Sequence, residues 1–176
     1  RFEGINFNYT TWMRPSEKGH VPLQAGMYML DAYTLNPKQL RDDHNHPLDN
    51  QGWIGRPPAA VQVQGANNIA FANCSFEHLG SCGLDFVEAA QHVSVEGSIF
   101  RDIAGNGLQT GKFNDPSFES HLPYDPADSR VLCANQLIAN NYFTDVTNED
   151  WGCVAICAGF VRDVTIQHNE ISYVSY

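Results

Sequence analysis

Basic residues are scarce in this sequence: 10 Lys and Arg stand against 20 Asp and Glu, a formal net charge of -10 at pH 7. A field of that sign repels polyanions, which argues against nucleic acid as a partner and against a heavily charged uronate polymer unless cations bridge it. Long apolar runs are also missing. Nothing approaches the roughly 20 consecutive apolar residues that span a bilayer, so no membrane partner is expected. The opening RFEGINF lacks both an initiator Met and the basic and apolar regions of a signal peptide. Five cysteines, at 74, 82, 133, 153 and 157, fit neither a fully paired disulfide framework nor the spacing of a zinc site, and buried thiols are expected. There is no nucleophile elbow, no basic aromatic stripe and no phosphate cradle, since GNGLQTGK (105–112) enters a strand instead of opening a helix. Helical periodicity is nearly absent.

What is present is a repeat. With 43% hydrophobic and 17% charged residues, the chain can build one sizeable core. Placing VSVEGSIF (93–100) under IAFANCSF (69–76) aligns Ile69 with Val93, Phe71 with Val95 and Phe76 with Phe100, an offset of 24 residues. The register continues through Leu79 and Ile103, Gly83 and Gly107, Leu84 and Leu108. LIANNYF (137–143) and VTIQHNEI (164–171) place Phe143 and Ile171 in the Phe76 column, and FEGINF (2–7) makes a fifth copy. Each copy alternates apolar and polar residues over short β-branched or aromatic runs, with Asn, Gly, Ser and His at the ends, as short strands joined by tight turns require. A period of this size with one strand set per repeat predicts an all-β solenoid, a right-handed parallel β-helix of about 24-residue coils. Asn73, Asn140, Asn141 and Asn169 precede the aromatic column, where a corner needs left-handed backbone or a side-chain ladder.

Two stretches interrupt the repeat and read as inserted loops, 8–59 with Trp12, Tyr28, Tyr33 and Trp53, and the Pro-, Asp- and Ser-rich 113–134. Long insertions on a rigid solenoid are commonly its working parts. The chain begins mid-repeat and stops at Tyr176 without a polar cap, so residues 1–176 are expected to be a single β-helix segment of a longer protein.

The register turns scattered polar residues into neighbours about 4.8 Å apart along a parallel stack. Tyr9, His78, Asp102, Asp145 and Tyr173 form one such column. Asp102 beside Asp145 offers a carboxylate pair near the roughly 5 to 5.5 Å of a retaining glycosidase, or two corner aspartates capping turn amides. TNEDWG (147–152) is longer than its counterparts GSC and AGN, which pushes Glu149 and Asp150 out of the corner. Either could donate a proton beside Trp151, whose face can stack on a sugar, or the loop is a solvated turn. Asp85, aligned with Gln109 and Ala155, reads as an outward-facing strand residue that shares this groove or has no role. His78 is placed to hydrogen-bond Asp102 or to set its charge. The cluster Asp42-Asp43-His44-Asn45-His46 carries metal-ligand types, but neighbours this tight in a loop rarely converge on one ion, and neither metal nor cofactor is expected.

The segments FRDIAGNGLQTGKF (100–113) and ANNYFTDVTNEDWGCVAICAGFVRDVTIQHNEISYVSY (139–176) resemble the right-handed β-helix proteins of polysaccharide-degrading bacteria grouped near glycoside hydrolase family 141, within the pectin-lyase-like superfamily. The resemblance implies a secreted or periplasmic carbohydrate-active enzyme, with fucosidase or xylanase activity, using acidic residues in a groove along the stacked strands. Glu149 matches the family's acidic loop and Asp102 a recurrent corner Asp. Further coils rich in Gly and Trp typically follow, so the remaining coils of a longer chain are an expected partner. The leading expectation is therefore hydrolysis of a neutral polysaccharide by a carboxylate pair drawn from Glu149, Asp102, Asp145 and Asp150, with Trp151, Trp12, Asp85 and His78 binding substrate. A polysaccharide lyase would need a Lys or Arg base, and Arg101, Lys112 and Arg162 do not cluster in this register. A non-catalytic carbohydrate-binding solenoid is the third reading, since fold alone does not give function.

Overall fold

A computed structural model describes residues 1–22, 24–29, 54–112 and 126–176. The path is repetitive. The first coil supplies β1 (Phe2–Glu3) and β2 (Asn6–Thr10). The chain then leaves the repeat through the short helix α1 (Arg14–Lys18), a 3-10 turn at Gln24–Gly26 and the antiparallel pair β3 (Tyr28–Met29) and β4 (Ile54–Gly55). It re-enters as β5 (Ala59–Gln64), β6 (Asn67–Ala72) and β7 (Ser75–Leu79). The next coil is β8 (Cys82–Glu88), β9 (Gln91–Glu96) and β10 (Ile99–Ile103). After β11 (Leu108–Gly111) comes the second departure, then β12 (Ala134–Ala139) and β13 (Tyr142–Val146), and finally β14 (Ile156–Gly159), β15 (Arg162–Gln167) and β16 (Glu170–Val174). The strand β2 reaches Thr10, so the first excursion lies within 11–58 and is shorter at both ends than the 8–59 read from the sequence.

Strands one coil apart pair in parallel and form three sheets: β1-β6-β9-β12-β15, then β16-β13-β10-β7-β2, then β14-β11-β8-β5. The protein is thus nearly all β, with three parallel sheets in an arrangement consistent with a parallel β-helix. The 24-residue offset is the pairing register, as Phe76 lies beside Phe100, Phe71 beside Val95 and Leu84 beside Leu108. Across the second excursion Phe100 pairs with Phe143, which pairs with Ile171.

In-register pairing puts like side chains on top of one another, and this builds the core. Phe76, Phe100 and Phe143 are fully buried, and their rings stack at 4.6 and 4.5 Å between centroids, nearly parallel. Burying each ring contributes about 1.5–3 kcal/mol, with about 0.5–1.5 kcal/mol more per stacked pair. Close approach inside the stack explains Gly83, where an added Cβ would lie 2.5 Å from the Gly107 carbonyl oxygen.

At the corner between the first and second sheets the two roles foreseen for asparagine separate into adjacent columns. Asn73 and Asn140 take left-handed backbone, as do Gly4, Gly97 and His168 at the matching positions. One residue later the side chains form a ladder, buried at Ser98 and Asn141. Ser98 Oγ accepts from the Cys74 amide at 3.1 Å, Asn141 Oδ1 from the Ser98 amide at 2.9 Å, and Asn169 Oδ1 from the Asn141 amide at 3.0 Å. All five cysteines are unpaired and buried. Among the described residues no helix is long and apolar enough to cross a membrane.

Candidate functional site

The corner between the second and third sheets gathers most of the candidate residues. Its turns are short after β7 and β10, whereas the link from β2 to β5 holds the first excursion and the link from β13 to β14 is the acidic loop. That loop lies along the coil above it: the Thr147 amide donates to Gly105 O, Asn148 to Ile103 O, and both Glu149 and Asp150 to Ala104 O, at 3.0–3.2 Å. The start of the excursion folds over the same corner, and the Gly26 amide donates to Gly152 O at 3.1 Å.

One side chain pins both loops. Asn106 is fully buried; its Nδ2 donates to Ala25 O and Gln109 Oε1, both at 2.9 Å, while its Oδ1 accepts from the Val154 amide at 2.7 Å. The backbone of 147–150 and the side chain of Asn106 together fix where Glu149 and Asp150 stand.

Two adjoining hollows result. The enclosed one is lined by Trp12, Pro15, His20, Gly80, Ser81 and Asp150, among others, with Glu149 at its edge. The open one runs over Thr10, His78, Asp102 and Asn148, and Glu149 borders it as well. In the enclosed hollow Asp150 is buried and its Oδ2 lies 3.2 Å from His20 Nε2. Asp150 Oδ1, His20 Nδ1 and Ser81 Oγ are buried without a hydrogen-bonding partner among the described residues. The Ser81 and Asp150 side chains lie beside the Cys82 and Cys153 thiols, which are their weak partners. Trp12, His20 and Tyr28 pack ring to ring at 5.2–5.5 Å, and the Arg14 guanidinium lies 4.9 Å over the Tyr28 ring. Burial pushes the Tyr28 hydroxyl above its ordinary pKa, and Arg14 partly offsets this.

In the open hollow, His78 Nδ1 lies 2.6 Å from Asp102 Oδ2, and Asn148 Nδ2 donates to Asp102 Oδ1 at 3.2 Å. The column Tyr9, His78, Asp102, Asp145 and Tyr173 exists as aligned, every member with left-handed backbone. Tyr9 stacks on His78 at 5.1 Å.

Of the residues singled out from sequence, the structure gathers Glu149, Asp150, Asp102, His78 and Trp12. Asp145 follows Asp102 in the column but is exposed and lines neither hollow. Trp151 is 68% exposed and also lines neither.

Asp85 departs from expectation. It pairs with Gln109 as foreseen, but Gln109 pairs onward with Cys157, not Ala155. It is also fully buried, because the segment entering β5 covers that face. The Arg56 guanidinium binds it with two nitrogens, Nε at 2.7 Å from Oδ2 and Nη2 on Oδ1, and Gln109 Nε2 donates to it at 2.8 Å. Burial raises the Asp85 pKa, and Arg56 and Gln109 pull it partway back. This is an ion pair that fastens the excursion to the third sheet.

His20, Ser81, Asn148 and Asn106 were not singled out from sequence, although the pairing of Trp12 with a nearby His at the start of the excursion was a signal. Arg101 pairs with Glu77 and Lys112 with Glu88, so the cationic candidates lie apart, and Arg162 is exposed. The 42–46 cluster, Tyr33 and Trp53 lie outside the described residues. Among the described residues no group of three or more His, Cys, Asp or Glu could hold a metal ion.

No protein-family model and no curated protein matches the chain. A solved structure described as "Glycoside hydrolase" is similar to it at 64% identity with a TM-score of 0.88, covering 100% of this chain. The chain spans 29% of the length of that protein.

Proposed function

We propose that the protein is a carbohydrate-active enzyme that hydrolyses glycosidic bonds in a neutral polysaccharide at the corner cleft. The observation that carries this reading is Glu149, whose carboxyl-bearing residue borders both hollows, so that a glycosidic bond lying across that rim has a sugar on each side. Glu149 at the accessible edge is suited to exchange a proton with the leaving oxygen, and Asp150, held by His20, is the carboxylate assigned to the other face of the sugar. Asp102 and His78 then contact the sugar in the open hollow, with Trp12 as a stacking wall of the enclosed one.

Among the described residues no Lys or Arg lines either hollow, and the acidic lining disfavours a uronate, which weighs against the lyase reading. The glycoside hydrolase similar to this chain supports a carbohydrate substrate. We further infer that the coils are right-handed, as parallel crossover connections nearly always are, and that the protein is one of the pectin-lyase-like β-helices near glycoside hydrolase family 141. A polysaccharide substrate implies a secreted or periplasmic protein.

The test is to incubate the protein with neutral and with uronate oligosaccharides, following new reducing ends and the ultraviolet absorbance of unsaturated sugars. Reducing ends from neutral glycans without unsaturated product are expected. Unsaturated product would establish a lyase, and binding without products a non-catalytic solenoid.

A further inference from the structure

The two oxygens of the Asp150 carboxylate have different surroundings. Oδ2 lies 3.2 Å from His20 Nε2, and the rings of Trp12 and Tyr28 hold that imidazole in place. Oδ1 is buried and finds no nitrogen or oxygen donor among the described residues. A carboxylate oxygen only accepts, and leaving a buried one without a donor is costly. The group beside this carboxylate is the Cys153 thiol.

The local fold puts the sulfur there. Residues 150 to 153 make a tight turn, closed by the Cys153 amide donating to Asp150 O at 2.9 Å, so both side chains belong to one turn. Ala104 O anchors its start, accepting from the Asp150 amide at 3.0 Å. The first excursion packs against the sulfur: the Gly26 amide donates to Gly152 O at 3.1 Å, and a Cβ on Gly26 would lie 2.5 Å from Cys153 Sγ. Cys153 is fully buried, and burial, with the neighbouring Cys82 and Asp150 adding to it, pushes the thiol pKa far up. The sulfur therefore keeps its hydrogen and is a donor beside an acceptor.

We infer that Cys153 is a positioning residue, whose S–H donates to Asp150 Oδ1 and leaves Oδ2 as the oxygen shared between His20 and the enclosed hollow. The inference rests on the assignment of Asp150 as a working carboxylate of the cleft, but the contact itself needs no bond cleavage. Cys153 touches no substrate and transfers no proton. Cys133, equally buried, serves elsewhere, donating to Phe86 O at 3.3 Å.

The experiment compares Cys153→Ala, Cys153→Ser and Cys133→Ala in protein labelled with carboxyl carbon-13 aspartate, the Asp150 resonance being assigned by its loss in Asp150→Asn. A hydroxyl is smaller than a thiol, so serine restores a donor without restoring the packing. Cys153→Ala moves the Asp150 resonance and lowers kcat on a neutral oligosaccharide about fivefold, with KM little changed. Cys153→Ser brings both back towards the parent, and Cys133→Ala moves neither. Strand amide resonances, unchanged in all three, check the fold. The inference is overturned if the Asp150 resonance stays at its parental position in Cys153→Ala, or if kcat does not follow it. It is equally overturned if Cys153→Ser departs from the parent as far as Cys153→Ala, the result that packing alone would give. A resonance that follows the donor, in a protein that cleaves no neutral glycan, would uphold the contact while sinking the hydrolase. Cleavage at the parental rate in Cys153→Ala, with the resonance unmoved, would do the reverse.

Discussion

Replacing Asn106 by Ala removes three hydrogen bonds at one fully buried position, those to Ala25 O, to Gln109 Oε1 and from the Val154 amide. Gln109 Oε1 keeps the Cys82 thiol as a donor, but the Ala25 carbonyl and the Val154 N–H are left without the bonds to Asn106. Two such orphans at about 1–3 kcal/mol each set the cost at about 2–6 kcal/mol. The coil itself does not pass through these bonds, so the loss falls on the docking of the two loops. Native-state hydrogen exchange reads this directly: the Gly26 and Val154 amides are expected to exchange at least about 30-fold faster, while amides of the Phe100 strand keep their protection. Asn106→Asp retains the acceptor for Val154 and is expected to fall between. Wild-type exchange at Gly26 and Val154 in the Ala variant would refute the idea that Asn106 holds the loops together.

Phe100→Ala empties the middle of the stacked ring column and is expected to cost about 3–5 kcal/mol in urea unfolding, far more than any substitution at exposed Tyr173. Arg56→Ala leaves Asp85 buried without its cation, at a cost of about 3–5 kcal/mol near neutral pH. Burial then holds the folded Asp85 pKa above its unfolded value. Stability of the variant is therefore greatest at pH below about 4 and falls as pH rises through the folded pKa, which pH-dependent unfolding checks against the parent. The five buried thiols are expected to resist alkylation in the native protein and to react together after unfolding, since burial pushes Cys82 and Cys153 far up and Cys157 up to about 11; mass spectrometry counts them.

The strand register was legible because parallel in-register pairing stacks matching positions, so Phe76, Phe100 and Phe143 had to look alike to pack alike. The same logic placed Asp102 beside His78, and the length of TNEDWG marked the loop that carries Glu149 and Asp150. What the repeat cannot encode is what covers it. Asp85 looked outward and exposed because the covering residues, Arg56 and Pro57, come from a stretch with no repeat of its own. His20 escaped notice for the same reason, lying 130 residues from its partner Asp150. Nor does the repeat tell that Trp12 and His20 line a hollow together with Ser81.

Kinetics of Glu149→Gln and Asp150→Asn on a neutral oligosaccharide test the corner cleft most directly. Removing an acid–base carboxylate is expected to lower kcat by about 100-fold or more in each variant, with KM little changed for Glu149→Gln. Hydrolysis at the parent rate in both variants would contradict the assignment of the corner cleft as the active site.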